Sequence, residues 1–169
     1  MDSSALHKLS YGVYIVGSYK DDKYNGQIAN TVFQLTSEPP VVGVSINLNN
    51  LTHDFIDSTR VFSVSVLSEA ATMPFIGTFG FKSGRDIDKT DGLNWKKGET
   101  GAPVFLDYAA AYMEVEVSQQ VEIGTHTLYL GTVVAAETLG EEAVMTYDYY
   151  HQIKRGKTPK AAPSYIAEK

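Results

Sequence analysis

Cysteine is absent from all 169 residues of this sequence. Its absence excludes disulfides, thiolate metal sites and iron–sulfur clusters held by cysteine within this chain. It also excludes a thiol nucleophile. Any electron chemistry here therefore needs a bound organic cofactor, or a metal held by other ligands.

Long apolar runs are missing as well. No run approaches the ~18 residues that a transmembrane helix needs, and the start, MDSSALHKLS, lacks the apolar core of a signal peptide. The sequence therefore predicts a soluble, cytoplasmic protein with no membrane contact. Its length fits one domain, residues 1–169, that buries a core without covalent staples.

Positive charge is scarce, because 14 basic residues face 20 acidic ones and the net charge is −6. This balance argues against nucleic-acid binding. One segment differs: Lys154, Arg155, Lys157 and Lys160 fall within seven residues that contain no acid, and the remaining residues carry −10. The cluster is either a solvated face, a site for a phosphorylated ligand, or a surface that attracts an acidic electron-transfer partner.

The familiar nucleotide and catalytic motifs are also absent. No GxGxxG follows a strand and there is no GxxxxGK[ST], so neither usual nucleotide-binding fold is indicated. Histidines do not occur at HxxxH or HExxH spacing, and there is no GxSxG elbow. The sequence predicts no metal site.

Hydrophobic alternation and turn signals predict a mainly β protein. Six strands are expected at 9–18, 26–36, 41–47, 61–67, 109–121 and 125–139, and three helices at 49–56, 72–80 and 146–156. A polar turn with an Asn25-Gly26 signal is expected at 20–26. The hairpin order of the strands favours an antiparallel barrel with short helical insertions.

Polar residues interrupt the strands at 26–36 and 41–47. Alternation places Gly43, Ser45 and Asn47 on one face, which is either solvated or a flat surface for a planar heteroaromatic ligand. Asn30 and Thr31 interrupt the apolar pattern on both faces of the preceding strand. If they are buried they need partners, since an unpaired polar group costs ~1–3 kcal/mol, and a neighbouring strand or a ligand would supply them.

Two segments are rich in groups that suit an anion. Lys82, Ser83 and Arg85 surround Gly84, a pattern that suits phosphate. Thr52 lies near a predicted helix N-terminus, which favours negative charge. A single dianionic phosphate between the two segments would use both.

Five segments, taken in order, resemble the flavin-reductase-like FMN-binding split-barrel family. They are GQIANTVFQLT, VGVSINLNNLTHDFI, FIGTFGFKSGRDIDK, GTHTLYLG and TYDYYHQIKRGKTPKAAPSY. Within this family the chain is similar to the archaeal ferric reductase and to the flavoprotein domain of high-molecular-weight rubredoxins. The resemblance covers essentially the whole chain and implies a homodimer of six-stranded antiparallel split β-barrels, with FMN held noncovalently near the subunit interface.

The resemblance also implies roles for individual residues. The isoalloxazine ring would be lined by Gln27, Ile28, Ala29, Asn30 and Thr31, and the ring and ribityl chain by Ser45, Ile46 and Asn47. The phosphate would be approached by Asn50, Thr52, His53, Lys82, Ser83, Gly84 and Arg85. The tail around Tyr150, Lys154 and Arg155 would close over the site, from the same or the partner subunit. His126, whose strand pattern alone leaves it a core histidine or a functional one, would orient the nicotinamide.

The function implied by the resemblance is an NAD(P)H-dependent oxidoreductase with FMN as cofactor. A hydride would pass from the nicotinamide to the flavin, and the electrons would leave to free flavin, a ferric chelate, a rubredoxin-like protein or oxygen. High-molecular-weight rubredoxins continue into a cysteine-rich iron module, and these residues contain no cysteine, so a separate acceptor is expected. The alternatives are a non-enzymatic FMN electron carrier between protein partners and a barrel that has lost its flavin.

Overall fold

The computed structural model describes residues 2–165 and contains nine strands and three α-helices within that range. The strands are β1 (Tyr14–Lys20), β2 (Lys23–Ala29), β3 (Val32–Ser37), β4 (Pro40–Asn47), β5 (Val61–Leu67), β6 (Trp95–Lys97), β7 (Pro103–Phe105), β8 (Ala109–Ile123) and β9 (His126–Thr138). The helices are α1 (Leu51–Thr59), α2 (Met73–Gly80) and α3 (Tyr147–Gln152), and a short 3₁₀ helix spans Ser3–Lys8. The mainly β class is confirmed.

Seven of the strands form one antiparallel sheet in the order β2-β1-β5-β8-β9-β4-β3, and β6 pairs with β7 separately. The two edge strands, β2 and β3, are consecutive in the chain and are separated only by Asn30 and Thr31. The sheet must therefore curl until its two edges meet at these residues. The Ser45 amide donates to the Thr31 carbonyl at 3.2 Å, which ties the junction to β4.

The structure divides this sheet into seven strands where six were expected. The predicted strand 26–36 divides at Asn30 and Thr31, because β2 pairs with β1 whereas β3 pairs with β4. The turn expected around Asn25 lies earlier, at Asp21, which has a φ of 53°. Asn25 itself lies within β2.

Local sequence signals explain where two of the helices begin. The Thr72 side chain accepts from the Phe75 amide ahead of α2, and the Thr146 side chain accepts from the Tyr149 amide ahead of α3. Asn50 occupies the N-cap position of α1 but its side chain makes no capping bond. Among residues 2–165, none of the helices has the length and apolarity needed to cross a bilayer.

The sheet carries a hydrophobic cluster on each face. Adjacent side chains of β1 point to opposite faces, so Ile15 belongs to one cluster and Val16 to the other. Helices α2 and α3 pack on the first cluster, and α1 packs on the second through Ile56. The start of α1 and the end of α2 both lie beside β2, since Thr52 accepts from Asn25 and Gly80 lies near Ile28.

A buried carboxylate fixes the loop between β6 and β7. Glu114 is 1% exposed and accepts from the amides of Glu99 (3.1 Å) and Thr100 (2.8 Å) and from the Thr100 hydroxyl (2.7 Å). Alternation along β8 does not reveal this burial, because the loop that covers Glu114 comes from an earlier part of the chain.

We expect Glu114→Ala to lower the free energy of unfolding by about 2–4 kcal/mol, since three donors lose a charged acceptor. Glu116→Ala is the matched control, because Glu116 lies two residues along the same strand and is exposed. It should change the free energy by less than about 0.5 kcal/mol. Urea unfolding measures both, and equal effects would contradict this account of the loop.

Candidate functional site

A cavity of about 290 Å³ lies where β2, β4, the start of α1, the end of α2 and the C-terminal tail meet. Most of the predicted cofactor residues line it: Gln27, Ile28, Ala29, Asn30, Ser45, Asn47, Asn50, Thr52, Lys82, Ser83, Gly84, Arg85 and Tyr150. Segments that are far apart in the sequence therefore converge on one site.

One wall of the cavity is the free edge of β2. Among the strands of residues 2–165, β2 pairs with β1 alone, on one of its two sides. On its other side the Gly26 carbonyl accepts from the Lys89 ammonium at 2.8 Å. Because antiparallel residues alternate between paired and outward-facing backbone groups, Ile28 also presents its N–H and C=O on this side. Such an edge can pair with the alternating donors and acceptors of a flat heteroaromatic ring.

A second wall comes from the end of β4. Ser45 and Asn47 line the cavity, which is the second of the two alternatives that their alternation left open. Gly43, on the same face, does not, since a Cβ there would lie 3.0 Å from Phe33 and 3.1 Å from Leu130. Ile46 points to the opposite face and is fully buried in the core. Its side chain does not line the cavity, so its predicted flavin contact stays a prediction.

Two buried acceptors in the cavity wall have no partner within residues 2–165. They are Asn25 Oδ1 and Gln27 Oε1. The Asn25 amide nitrogen is satisfied, because it donates to the Thr52 hydroxyl at 2.8 Å. An unpaired buried acceptor is costly, so a ligand with hydroxyl or N–H donors would stabilise this wall.

The anion-favouring end of the cavity combines the start of α1 with the loop at 82–85. Gly84 lies so close to Asn25 that a Cβ would be 2.0 Å from its Oδ1, so the loop approaches β2 only because this residue is glycine. Arg85 donates to the Asn49 carbonyl at 3.1 Å and to Asp54 Oδ2 at 2.8 Å. The guanidinium is therefore already held beside the helix N-terminus.

Lys89 is a cavity residue that the sequence analysis did not identify. It is 3% exposed, and its ammonium donates to the carbonyls of Gly26 and Phe79 (3.3 Å). Burial lowers the pKa of Lys89 to about 8. No carboxylate of residues 2–165 lies within ion-pair distance of it. Its charged neighbours Asp86 and Asp88 make the segment look like a solvated turn, so no local pattern reveals its burial.

His53 serves the scaffold in this structure. Its Nε2 lies 2.9 Å from the Thr127 hydroxyl, and its ring packs on Tyr129, whose hydroxyl donates to Asp57 at 2.7 Å. These contacts hold α1 against β9. His53 and Thr31 are not among the cavity-lining residues, so their predicted flavin contacts stay predictions.

The C-terminal tail crosses the mouth of the cavity in the same chain. Asn30 donates to the Ser164 hydroxyl at 2.7 Å. His126 Nε2 lies 3.1 Å from the Ala161 carbonyl, and its Nδ1 lies 2.8 Å from the Thr125 hydroxyl. Because a carbonyl only accepts, Nε2 carries the proton and donates to the tail. His126 thus lies beside the tail rather than in the cavity lining.

The three predicted tail residues occupy different positions. Tyr150 lines the cavity, and its hydroxyl donates to the Lys157 carbonyl at 3.0 Å. Burial raises its pKa. The Lys154 ammonium donates to the Ala71 carbonyl at 2.9 Å, and Arg155 is exposed. Neither of these two lines the cavity.

The described part of the chain contains no set of side chains suited to binding a metal ion. Residues 2–165 contain no group of three or more histidine and carboxylate side chains positioned to hold an ion. The cavity instead offers a ring-binding edge, unpaired acceptors and an anion-favouring end.

A family model described as "Flavin reductase like domain" matches residues 6–155. The chain belongs to this family. Among its relatives, a "High molecular weight rubredoxin" of Moorella thermoacetica is 52% identical over 165 residues, which is 98% of this chain and 72% of that protein. A "Ferric-chelate reductase (NAD(P)H)" of Archaeoglobus fulgidus is 45% identical over 169 residues, the whole of both chains.

The fold of this chain is similar to that of a solved structure. An FMN-binding protein from Thermus thermophilus, with bound p-hydroxybenzaldehyde, superposes with a TM-score of 0.71. The match has 30% sequence identity and covers 78% of this chain and 74% of that one. The resemblance to flavin-reductase-like proteins is therefore confirmed.

The buried ammonium of Lys89 predicts a pH dependence of stability. Its pKa is about 8 in the folded protein and ~10.4 in an unfolded chain. Between these values the unfolded state binds more protons, so the free energy of unfolding should rise with pH. In the FMN-free protein, Lys89→Met should remove this rise between pH 7.5 and about 9.5.

Urea unfolding at several pH values measures this effect. Lys97→Met is the control, because Lys97 is exposed and should leave the pH slope unchanged. Equal slopes for Lys89→Met and the unmodified protein would contradict the uncompensated charge.

Proposed function

We propose that this chain binds FMN in the cavity between β2, α1 and the tail, and that it transfers electrons from NAD(P)H to an acceptor. It is a flavin-dependent oxidoreductase, as its family and the name of the Archaeoglobus relative indicate. The observation that supports FMN is the arrangement of the cavity, with a ring-binding edge at one end and an anion-favouring end at the other. When bound, FMN supplies the hydride acceptor and the outlet for electrons.

The residues present fit the chemical parts of FMN. The free edge of β2 at Ile28, with Asn30 and Ser45 nearby, suits the polar rim of an isoalloxazine ring. The unpaired oxygens of Asn25 and Gln27 suit the ribityl hydroxyls, which are donors.

The phosphate would lie at the anion-favouring end. It would use the N-terminus of α1, the Thr52 hydroxyl and the donors of Lys82, Ser83 and Arg85. Lys89, whose charge has no carboxylate partner within 2–165, would add further positive potential to the same cavity.

Sheet geometry supports two finer proposals, a six-stranded split barrel and a homodimer. If β2 and β3 count as one strand bent at Asn30, the curled sheet has six strands around its circuit. On its outer face, large apolar side chains are exposed. They are Phe33 and Leu35 of β3 and Val121 and Ile123 of β8. The half-buried Leu128 and Leu130 of β9 lie between these strands. This face continues to Ser45 and His126, so a second copy packed on it would border the cavity.

Three further proposals concern the whole protein. We propose that residues 1–169 act as one domain, in the cytoplasm. The acceptor would be a free flavin, a ferric chelate, a rubredoxin-like protein or oxygen. The name of the Moorella relative, a protein longer than this chain, supports a rubredoxin-like acceptor.

The decisive experiment is anaerobic mixing of FMN-loaded protein with NADH and, separately, NADPH. Rapid bleaching of the flavin absorbance near 450 nm, followed by recovery with an acceptor, is expected for the reductase. A stable yellow colour with both nucleotides would instead favour the alternative, a non-enzymatic FMN carrier. Colourless protein that does not bind added FMN would exclude both.

Arg85 allows the phosphate assignment to be tested. Arg85→Ala should weaken FMN binding by about 1.5–3 kcal/mol, because a charge-assisted bond to phosphate is lost. Riboflavin, which lacks the phosphate, should bind both proteins equally well. Fluorescence titration with the two flavins measures the difference.

Asp54 provides the opposing variant. Since Arg85 pairs with Asp54 at 2.8 Å in this structure, the carboxylate competes with the phosphate. Asp54→Asn should therefore strengthen FMN binding and leave riboflavin binding unchanged.

One outcome of the Arg85 test would contradict the phosphate assignment. If Arg85→Ala weakens the binding of FMN and of riboflavin equally, the loop shapes the cavity and does not bind phosphate.

His126 is proposed to position the nicotinamide. His126→Ala should slow FMN reduction by NAD(P)H by roughly tenfold or more, since an orienting hydrogen bond is lost. FMN affinity should change much less, because His126 lies outside the cavity lining. Single-turnover reduction and FMN titration give the two numbers, and the reverse pattern would make His126 a structural residue.

A further inference from the structure

The basic tail segment, residues 154–160, is unlike the rest of the chain in charge. It carries four of the 14 basic residues and no acidic one, and the remaining residues carry a net charge of −10. In so acidic a protein, this segment is a local region of opposite potential.

Three of its four cations are directed to solvent. Arg155, Lys157 and Lys160 are exposed, and none forms an ion pair with the carboxylates of residues 2–165. Lys154 differs, since its ammonium is bound to the Ala71 carbonyl. The exposed charges are therefore not needed to hold the fold together.

The segment is held in a defined position by aromatic side chains of α3. The Tyr150 hydroxyl donates to the Lys157 carbonyl, and His151 Nδ1 donates to the Gly156 carbonyl at 2.9 Å. The Tyr147 hydroxyl lies 2.8 Å from that of Thr158. Side-chain bonds every one or two residues fix the backbone that carries the cations.

This backbone is also the outer wall of the cavity. Pro159 and Ala161 line the cavity, and Lys160 lies between them in the sequence. Lys157 precedes Pro159 by two residues. A macromolecule that contacts these lysines is therefore separated from the proposed flavin site only by the tail itself.

We propose that the basic tail segment is the docking surface for the electron acceptor, and that this acceptor is a small acidic protein with a one-electron iron centre. The proposal rests on the proposed function and identifies its partner class. Complementary charge speeds the encounter of proteins whose contact is small and transient, as electron-transfer complexes require. The thin wall places such a partner beside the cavity without opening it.

The reaction balances without any further reactant. One NAD(P)H supplies two electrons, which leave one at a time to two ferric centres. The products are NAD(P)⁺, two ferrous centres and one proton released to solvent. Two successive docking events are needed for each nucleotide oxidised, which favours a surface that binds weakly and releases quickly.

The test uses the full chain loaded with FMN, reduced with dithionite and mixed anaerobically with an oxidised, acidic rubredoxin in a stopped-flow instrument. Lys157→Glu/Lys160→Glu reverses two charges of the segment. Lys20→Glu/Lys97→Glu is the matched control, since it makes the same change in net charge at exposed positions outside the cavity lining.

At low ionic strength, the tail variant should reduce rubredoxin at least about tenfold more slowly than the unmodified protein. The control should stay within about threefold, and the difference should shrink in about 0.5 M salt, where charges are screened. Reoxidation by dioxygen, a neutral acceptor, should be equal in all three proteins.

Several results would overturn the proposal. They are an unchanged rubredoxin rate in the tail variant, an equal loss in the control, and a parallel loss of reoxidation by dioxygen, which would place the effect in the flavin site. A tail variant that needs more NADPH for half-maximal reduction, but keeps its rubredoxin rate, would make the segment a nucleotide-phosphate site. Because dithionite supplies the electrons, failure of NAD(P)H to reduce the flavin would refute the proposed function alone.

Discussion

The short link between β2 and β3, which lie at opposite edges of the sheet, is the constraint on which this structure depends. Asn30 and Thr31 leave the chain no room to cross a flat sheet, so seven strands must curl until β2 and β3 meet. As an edge strand, β2 has one side that no strand of residues 2–165 pairs with. Since unpaired backbone groups need hydrogen bonds, that edge becomes a place for a ligand, and the segments around it supply the polar side chains.

Charge is distributed unevenly over the molecule. Most of the surface is acidic, while the cations Lys82, Arg85 and Lys89 line one cavity and the tail lysines lie just outside it. In a protein of net negative charge, a group of cations at one opening can attract anionic ligands there. The buried Lys89 contributes most per charge, because the surrounding protein screens it less than water would.

Much of the fold and of the site could be predicted from local patterns. The helices expected at 72–80 and 146–156 are present as α2 and α3. Alternation on β4 left the face of Ser45 and Asn47 either solvated or turned to a ligand, and both residues line the cavity. What could not be predicted depends on contacts between distant segments. Lys89 and Glu114 look like solvated charges in sequence, and their burial follows only from loops that fold over them. The division of β2 from β3 likewise depends on which neighbours each half meets, a choice that propensity does not encode.

The Ala161 carbonyl of the tail accepts a hydrogen bond from His126, so the tail competes with any ligand for that donor. A ligand that accepts a hydrogen bond from His126 Nε2 must first displace the Ala161 carbonyl. The apparent affinity of that ligand is therefore lowered in proportion to the fraction of molecules in which the tail is closed. The segment that would have to withdraw also carries Lys157 and Lys160. The electron donor could then bind only while the tail is open, and the acceptor could dock only while the tail is closed. Reduction and reoxidation of the flavin would therefore be separate steps.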